Sequence, residues 1–237
     1  MFLVAHRGFR APGRENRMID FTDALKTCKA VEFDIRLTKD KQIIIFHDHN
    51  FKRIGNLDKT VKSMTFSEIK QMKYFKKNPE KLPPLFVDDF VEKISSKYDF
   101  INVEIKPDRN TKEEFEIIKK GLEKLRSKTK AEIVVSSFGY EALKFISSLD
   151  ENKFKKGYLT EYVKKVDFKL IKKFDYLHPY VGNLKSKGSK EIVKKINLPM
   201  NVWTFKNDKD ARIIWSMYEK RVNSFISDKK DLMIKFA

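Results

Sequence analysis

Short runs of β-branched and aromatic residues, bounded by polar residues and mostly separated by stretches of helical spacing, recur along the whole chain. That alternation is the mark of repeated βα units, in which parallel strands are covered by helices. Candidate strands are Phe2–His6, Val31–Leu37, Gln42–His47, Phe100–Lys106, Glu132–Phe138, Lys156–Thr160, Tyr176–Tyr180, Met200–Phe205 and Ser224–Ser227. Phe115, Ile118, Leu122 and Leu125, and again Leu143, Ile146 and Leu149, recur every three or four residues and mark buried helix faces. Nine candidates are one more than a closed eight-stranded barrel needs, so one is expected to depart from the pattern.

At 237 residues, 41% of them hydrophobic and 20 of them Phe, the chain can bury a substantial core, which excludes global disorder. No apolar run approaches the roughly 20 residues of a membrane span. The one cysteine, Cys28, excludes an internal disulfide, and the four apolar residues Phe2–Ala5 fall short of a signal-peptide core, so a cytoplasmic location is expected. Lys and Arg number 51 against 33 Asp and Glu, giving +18, which favours anionic partners. Lysine is spread over every segment rather than gathered in a stripe interleaved with aromatics, so nucleic acid is not expected, while peripheral contact with an anionic membrane is compatible.

No linker, composition break or repeat divides the chain, which reads as one domain over 1–237 with a small rim insertion at about 50–97, a polar segment carrying Pro79, Pro83 and Pro84. The connection from Leu37 to Gln42 is too short for a helical crossover. A tight turn around Lys39-Asp40-Lys41 with antiparallel pairing is expected to set Asp34 opposite His47.

Polar residues gather at strand ends, where a βα barrel carries its chemistry: His6-Arg7, Glu32 and Asp34, His47-Asp48, Glu104 and Lys106. Glu32 and Asp34 stand two apart on an apolar strand, so the pleat turns both to one side, and Glu104 and Lys106 repeat the arrangement. Carboxylates facing a barrel interior repel one another and lose hydration, which costs several kcal/mol unless a cation compensates. Three carboxylates without a thiolate make a hard oxygen site for a divalent metal ion, Mg²⁺ or Ca²⁺. His6 and His47 beside them suit proton transfer, and Arg7 and Lys106 suit phosphate oxygens. His49 and His178 read as structural.

These residues fall into segments that together resemble the glycerophosphodiester phosphodiesterase family. The segments are His6-Arg7-Gly8, Glu15-Asn16, Val31-Glu32-Phe33-Asp34-Ile35, Thr38-Lys39-Asp40, His47-Asp48, Leu82-Pro83-Pro84-Leu85, Val103-Glu104-Ile105-Lys106, Ser136-Ser137-Phe138, Trp203-Thr204 and Ser227-Asp228. The resemblance implies a TIM-type (β/α)8 barrel with a small insertion after the third strand. It implies Glu32, Asp34 and Glu104 as ligands of the divalent metal, His6 and His47 as the acid–base pair, and Arg7 and Lys106 on phosphate. Glu15 matches a family active-site position near the metal or the glycerol hydroxyls. The implied reaction splits a small-molecule glycerophosphodiester, such as glycerophosphocholine or glycerophosphoethanolamine, into glycerol 3-phosphate and an alcohol. His6 would act first as base on the glycerol 2-hydroxyl, His47 first as acid on the leaving alcohol, with a cyclic phosphate between the two halves.

Three stretches depart from the family pattern: Arg14-Glu15-Asn16-Arg17, Lys206 after Trp203-Thr204-Phe205, and Lys229-Lys230 after Asp228. They lie outside the metal and proton machinery and bear on substrate preference. Phe138 and Trp203, at predicted strand ends, either wall the site or belong to the core. Two other readings compete with the leading one: a lysophospholipase D-type enzyme, which an apolar groove beside Phe138 and Trp203 would favour, and a non-catalytic basic anion-binding protein.

Overall fold

The computed structural model describes residues 2–232. Eight parallel strands close on themselves: β1 (Phe2–His6), β2 (Ala30–Leu37), β6 (Phe100–Ile105), β7 (Glu132–Ser137), β8 (Lys155–Thr160), β9 (Tyr176–Pro179), β10 (Met200–Phe205) and β11 (Val222–Ser227). β1 pairs with β11 on one side and β2 on the other, which completes a TIM barrel. Helices α1 (Met18–Ala24), α4 (Lys112–Lys128), α5 (Tyr140–Ser147), α6 (Lys187–Ile196) and α7 (Asp208–Tyr218) join successive strands, while the connection from β8 to β9 is made of short 3-10 turns. No helix among the described residues is long and apolar enough to cross a membrane.

The strand period of two sorts side chains between the two sides of the wall. Val31, Phe33, Ile35, Ile101, Val103 and Ile105 face outward into the main core, where Phe33 meets Phe90 at 4.5 Å between ring centroids and Phe90 meets Phe21 at 5.3 Å. Inward residues grade from apolar at the N-terminal end, with Val4, Ala30, Phe100 and Val134 in one cluster, to charged at the C-terminal end. Halfway up, His178 is fully buried against Gly157, where a Cβ would come within 2.6 Å of His178 Nε2, so a glycine makes room for the ring. His178 Nε2 is 2.9 Å from Asn201 Nδ2, and burial pushes the imidazole down to about 3, leaving it neutral.

The extra candidate strand is β3 (Ile43–Ile45), which runs antiparallel to the upper half of β2, above the point where β1 ends. The turn forms at Lys39-Asp40-Lys41 as expected, but the register differs by one residue. Lys41 adopts φ 65° and Thr38 N donates to Gln42 O at 3.0 Å, so Ile35 pairs with Ile45 and Phe46 N donates to Asp34 O at 2.9 Å. A three-residue loop with a left-handed last position sets that pairing. Asp34 therefore lies across from Phe46, not His47.

Residues beyond β3 form the hairpin β4 (Asn50–Phe51) and β5 (Leu57–Thr60), then α2 (Phe66–Gln71) and α3 (Lys73–Lys77). They surround a small core of Ile44, Phe46, Phe51, Val61, Ile69 and Phe75 at the barrel's upper edge. From Phe86 the chain rejoins the main core. Glu114, at the start of α4, holds this region down: it accepts from Lys41 Nζ at 2.5 Å and Lys62 Nζ at 2.7 Å and completes a capping box with Thr111. Thr111→Ala removes the cap and is expected to lower unfolding stability by about 1 kcal/mol, read as a shift in urea midpoint at constant slope; an unchanged midpoint would assign the anchoring to the lysine contacts alone.

Candidate active site

The C-terminal end of β1 sets the first two side chains. After His6 the backbone passes through three left-handed residues, Arg7 (φ 51°), Gly8 (φ 76°) and Phe9 (φ 64°). A Cβ on Gly8 would stand 2.8 Å from the Asp20 backbone, so glycine is required there. The two non-glycine residues in this region are strained by the order of 1 kcal/mol each. The turn lets Arg7 N donate to Glu32 O at 2.8 Å and folds the guanidinium inward, with Nη1 3.1 Å from Glu15 Oε1 and Nε 3.1 Å from Asp34 Oδ2.

Glu32 and Asp34 project inward from β2, and Glu104 projects from β6 in register with Asp34. All three are buried, and one oxygen from each lies within 4.8 Å of the others. Lys106 Nζ sits 3.2 Å from Asp34 Oδ1 and 2.6 Å from Glu104 Oε1. Burial pushes Asp34 up, but Arg7, Lys106 and the Asn16 amide, 2.9 Å from Oδ2, outweigh it and hold the carboxyl well below the usual range. Glu32 goes the other way: burial, then repulsion from Asp34 and Glu104, raises it well above the ordinary value. Glu104 is also raised, chiefly by burial. Three carboxylates face two cations, so the cluster lacks one positive charge.

A single divalent cation fits that deficit. Two oxygen donors on one ion are separated by at most twice a metal–oxygen distance, roughly 4.2 Å for Mg²⁺ and about 5 Å for Ca²⁺, and the oxygens of this trio, within 4.8 Å of one another, meet the Ca²⁺ limit as they stand. Glu104 Oε1 is buried, with the Lys106 ammonium 2.6 Å away.

Both histidines expected to carry protons adjoin this cluster. His6 Nδ1 lies 2.5 Å from Asp228 Oδ1, which leaves Nε2 facing inward, 3.8 Å from Glu32 Oε2. Burial and the Arg7 charge lower the His6 pKa, opposed by Asp228. His47 Nδ1 lies 2.7 Å from Asp48 Oδ1, and its carbonyl accepts from Arg36 Nη2 at 2.7 Å. Arg53, from the inserted hairpin, binds Glu15 with Nη1 and Nη2 at 2.7 and 2.8 Å and Asp48 with Nε at 2.6 Å. Glu15 is held down to about 2: burial opposes ionisation, and Arg53, Arg7 and Arg10 overcome it.

His6, Arg7, Glu32, His47, Glu104 and Lys106 line one cleft of about 240 Å³. Phe138 and Trp203 line it too, meeting edge to face at 5.4 Å, with Tyr180 5.1 Å beyond; Trp203 Nε1 donates to His178 O at 2.8 Å. Of the other expected site residues, Asp34 lies fully buried beneath the floor, and Glu15 sits beside the cleft behind Arg7. His49 is on the surface, with Nδ1 3.2 Å from Asp108. Sequence reasoning gave no role to Asp228, Asn16 or Arg53. Asp228 had a signal, since it follows the last strand as Arg7 and Asp48 follow theirs. Arg53 had none, because only the packing of the insertion brings it here.

The sequence profile of the Glycerophosphoryl diester phosphodiesterase family matches residues 6–232. An uncharacterized protein of Mycoplasma genitalium is 31% identical over 215 residues, 85% of each chain. A glycerophosphodiester phosphodiesterase of Caldanaerobacter subterraneus is 26% identical over 99% of this chain and 97% of its own. Among solved structures, an Oleispira antarctica phosphodiesterase in complex with the product sn-glycerol-3-phosphate superposes with a TM-score of 0.79 at 23% identity, covering 98% of this chain and 95% of that one.

Proposed function

The chain belongs to the glycerophosphoryl diester phosphodiesterase family and is a phosphoric diester hydrolase, and on that premise we propose that it cleaves glycerophosphodiesters to glycerol 3-phosphate and an alcohol, with His6 and His47 as acid–base pair and a divalent metal ion at Glu32, Asp34 and Glu104. The observation that carries this reading is the shared cleft: a three-carboxylate cluster short of one positive charge opens on the same space as two carboxylate-oriented imidazoles. Bound at those three residues, Mg²⁺ or Ca²⁺ would lower the pKa of a substrate hydroxyl and neutralise charge on a phosphate oxygen.

The chain's own groups would do the rest. Arg7 and Lys106, both on the cleft wall, would bind phosphate oxygens with charge-assisted hydrogen bonds. His6, whose pKa is lowered by burial and by Arg7, would take the proton of the glycerol 2-hydroxyl at Nε2 as that oxygen attacks phosphorus. Asp228 on Nδ1 fixes the tautomer this requires. His47 would give a proton to the departing alcohol oxygen as the P–O bond breaks. In the second half His47 would take a proton from water, whose oxygen attacks phosphorus, and His6 would return its proton to the 2-oxygen. Phe138 and Trp203 would wall the alcohol portion and exclude water.

The test is release of glycerol 3-phosphate from glycerophosphocholine by the purified chain supplied with Mg²⁺ or Ca²⁺. Turnover is expected, and its absence with both ions and with glycerophosphoethanolamine would reject the proposal. A lysophospholipase D-type activity is the second reading. It draws on Phe138, which lines the cleft yet is 38% exposed; faster release of choline from lysophosphatidylcholine than from glycerophosphocholine would favour it.

A further inference from the structure

Beside the cleft, and sharing Arg10, Lys206 and Asp228 with it, a second open cleft runs between the loop after β1 and the segments that follow β10 and β11. Its charged lining is Arg10, Arg53, Lys206 and Lys229 against Glu15 and Asp228, while Asp48 and Asp208 pair with Arg53 and Lys229 from outside it. The two lining anions are already engaged. Asp228 is bonded to His6, and Glu15 is shared by three guanidiniums, from Arg7 at 3.1 Å, Arg10 at 3.2 Å and Arg53 at 2.7 Å. Lys229 is neutralised by Asp208, 3.0 Å away. Lys206, by contrast, makes no hydrogen bond or ion pair among the described residues, although it lines both clefts. Arg10 spends only Nε on Glu15 and stands at the same mouth, its side chain 38% exposed.

We propose that this cleft is a subsite for a second anionic group: the preferred diester carries a phosphate on its leaving alcohol, which Lys206 and Arg10 bind while the scissile phosphate lies over the carboxylate cluster. The proposal rests on the hydrolase reading above and deepens it. Lys206 and Lys229 are two of the departures from the family pattern, and the fold brings them together at one mouth. An anion there meets the unpaired ammonium of Lys206, and a charge-assisted hydrogen bond to it discriminates by about tenfold. The cleft reaches Asp228 behind His6 and Arg53 behind Asp48, and it shares Arg10 and Lys206 with the first cleft, so a group extending from a diester bound there can enter it.

The experiment compares two substrates that differ only in this charge, glycerophosphoglycerol and the same diester phosphorylated on its leaving glycerol, by following loss of the diester ³¹P resonance. The expected kcat/KM ratio favours the phosphorylated substrate by about tenfold. It is expected to fall at least severalfold in Lys206→Gln, fall further in Lys206→Glu, and shrink as salt is raised through the physiological range. A ratio near one, or a ratio that neither the substitutions nor salt alters while both diesters turn over, overturns the subsite alone. Absence of turnover on every diester removes the hydrolase reading and the subsite with it.

Discussion

Chelation of divalent metal is expected to abolish glycerol 3-phosphate release from glycerophosphocholine, by on the order of a thousandfold or more, and re-addition of Mg²⁺ or Ca²⁺ to restore it. The size follows from the several kcal/mol of charge stabilisation that a metal supplies at a phosphoryl centre. Its origin is visible in the cluster. Arg7 and Lys106 offset two of three buried carboxylates, and a phosphodiester brings a further negative charge into the same space. Without a cation, Glu32 and Glu104 are shifted toward their protonated forms by burial, with mutual repulsion adding to it at Glu32. A bound cation favours the ionised carboxylates, so apparent metal affinity is expected to rise with pH above the ordinary glutamate range, as calorimetry in buffers of different ionisation enthalpy would register. Glu32→Gln keeps the shape and removes one charge, so it is expected to weaken metal binding while leaving the unfolding midpoint near wild type. Full activity in excess chelator, or an unchanged metal titration in Glu32→Gln, would remove the metal from the mechanism or Glu32 from the ligand set.

His47→Ala is expected to lower turnover of glycerophosphocholine by roughly 10²–10⁴, the range for a lost general acid or base. The side chain is about one-third exposed, so its removal opens no internal void, and Asp48 keeps its bonds to Arg53. A circular dichroism spectrum and urea midpoint near wild type establish that the comparison is of chemistry. The assignment of roles adds a sharper expectation. A p-nitrophenyl ester departs without needing a proton, so p-nitrophenol release by His47→Ala is expected to lose far less than choline release does. His6→Ala is expected to lose heavily on both, since the 2-hydroxyl must be deprotonated either way. Equal losses in His47→Ala on the two substrates would show that His47 is not the acid for the leaving group.

How much of this was legible beforehand varies with the kind of statement. That Glu32 and Asp34 share a side, and Glu104 and Lys106 likewise, followed from the two-residue period of a strand, a property of the local backbone. The inward–outward sorting of Phe33 and Ile35 against their acidic neighbours rests on the same period. The pairing of Asp34 was missed by one position because it turned on the left-handed conformation of Lys41, which a lysine adopts without announcing it. Asp228 stands in the family-like segment Ser227-Asp228, yet its partner is His6, 222 residues earlier. Nothing near Arg53 marked it as the link between Glu15 and Asp48.

The sequence by itself determined the nine strands of the main sheet, the side of each on which its charges lie, and a set of acids and imidazoles suited to one hard cation and a phosphate ester. Only the tertiary structure decided which of these meet: closure of β1 onto β11 brings Asp228 to His6, register between β2 and β6 sets Glu104 beside Asp34, and the folded insertion delivers Arg53. The physical reason is range. Backbone sterics fix the direction of a side chain about its own element, whereas distances between elements depend on how a whole barrel closes and packs, and no local stretch of residues carries that information.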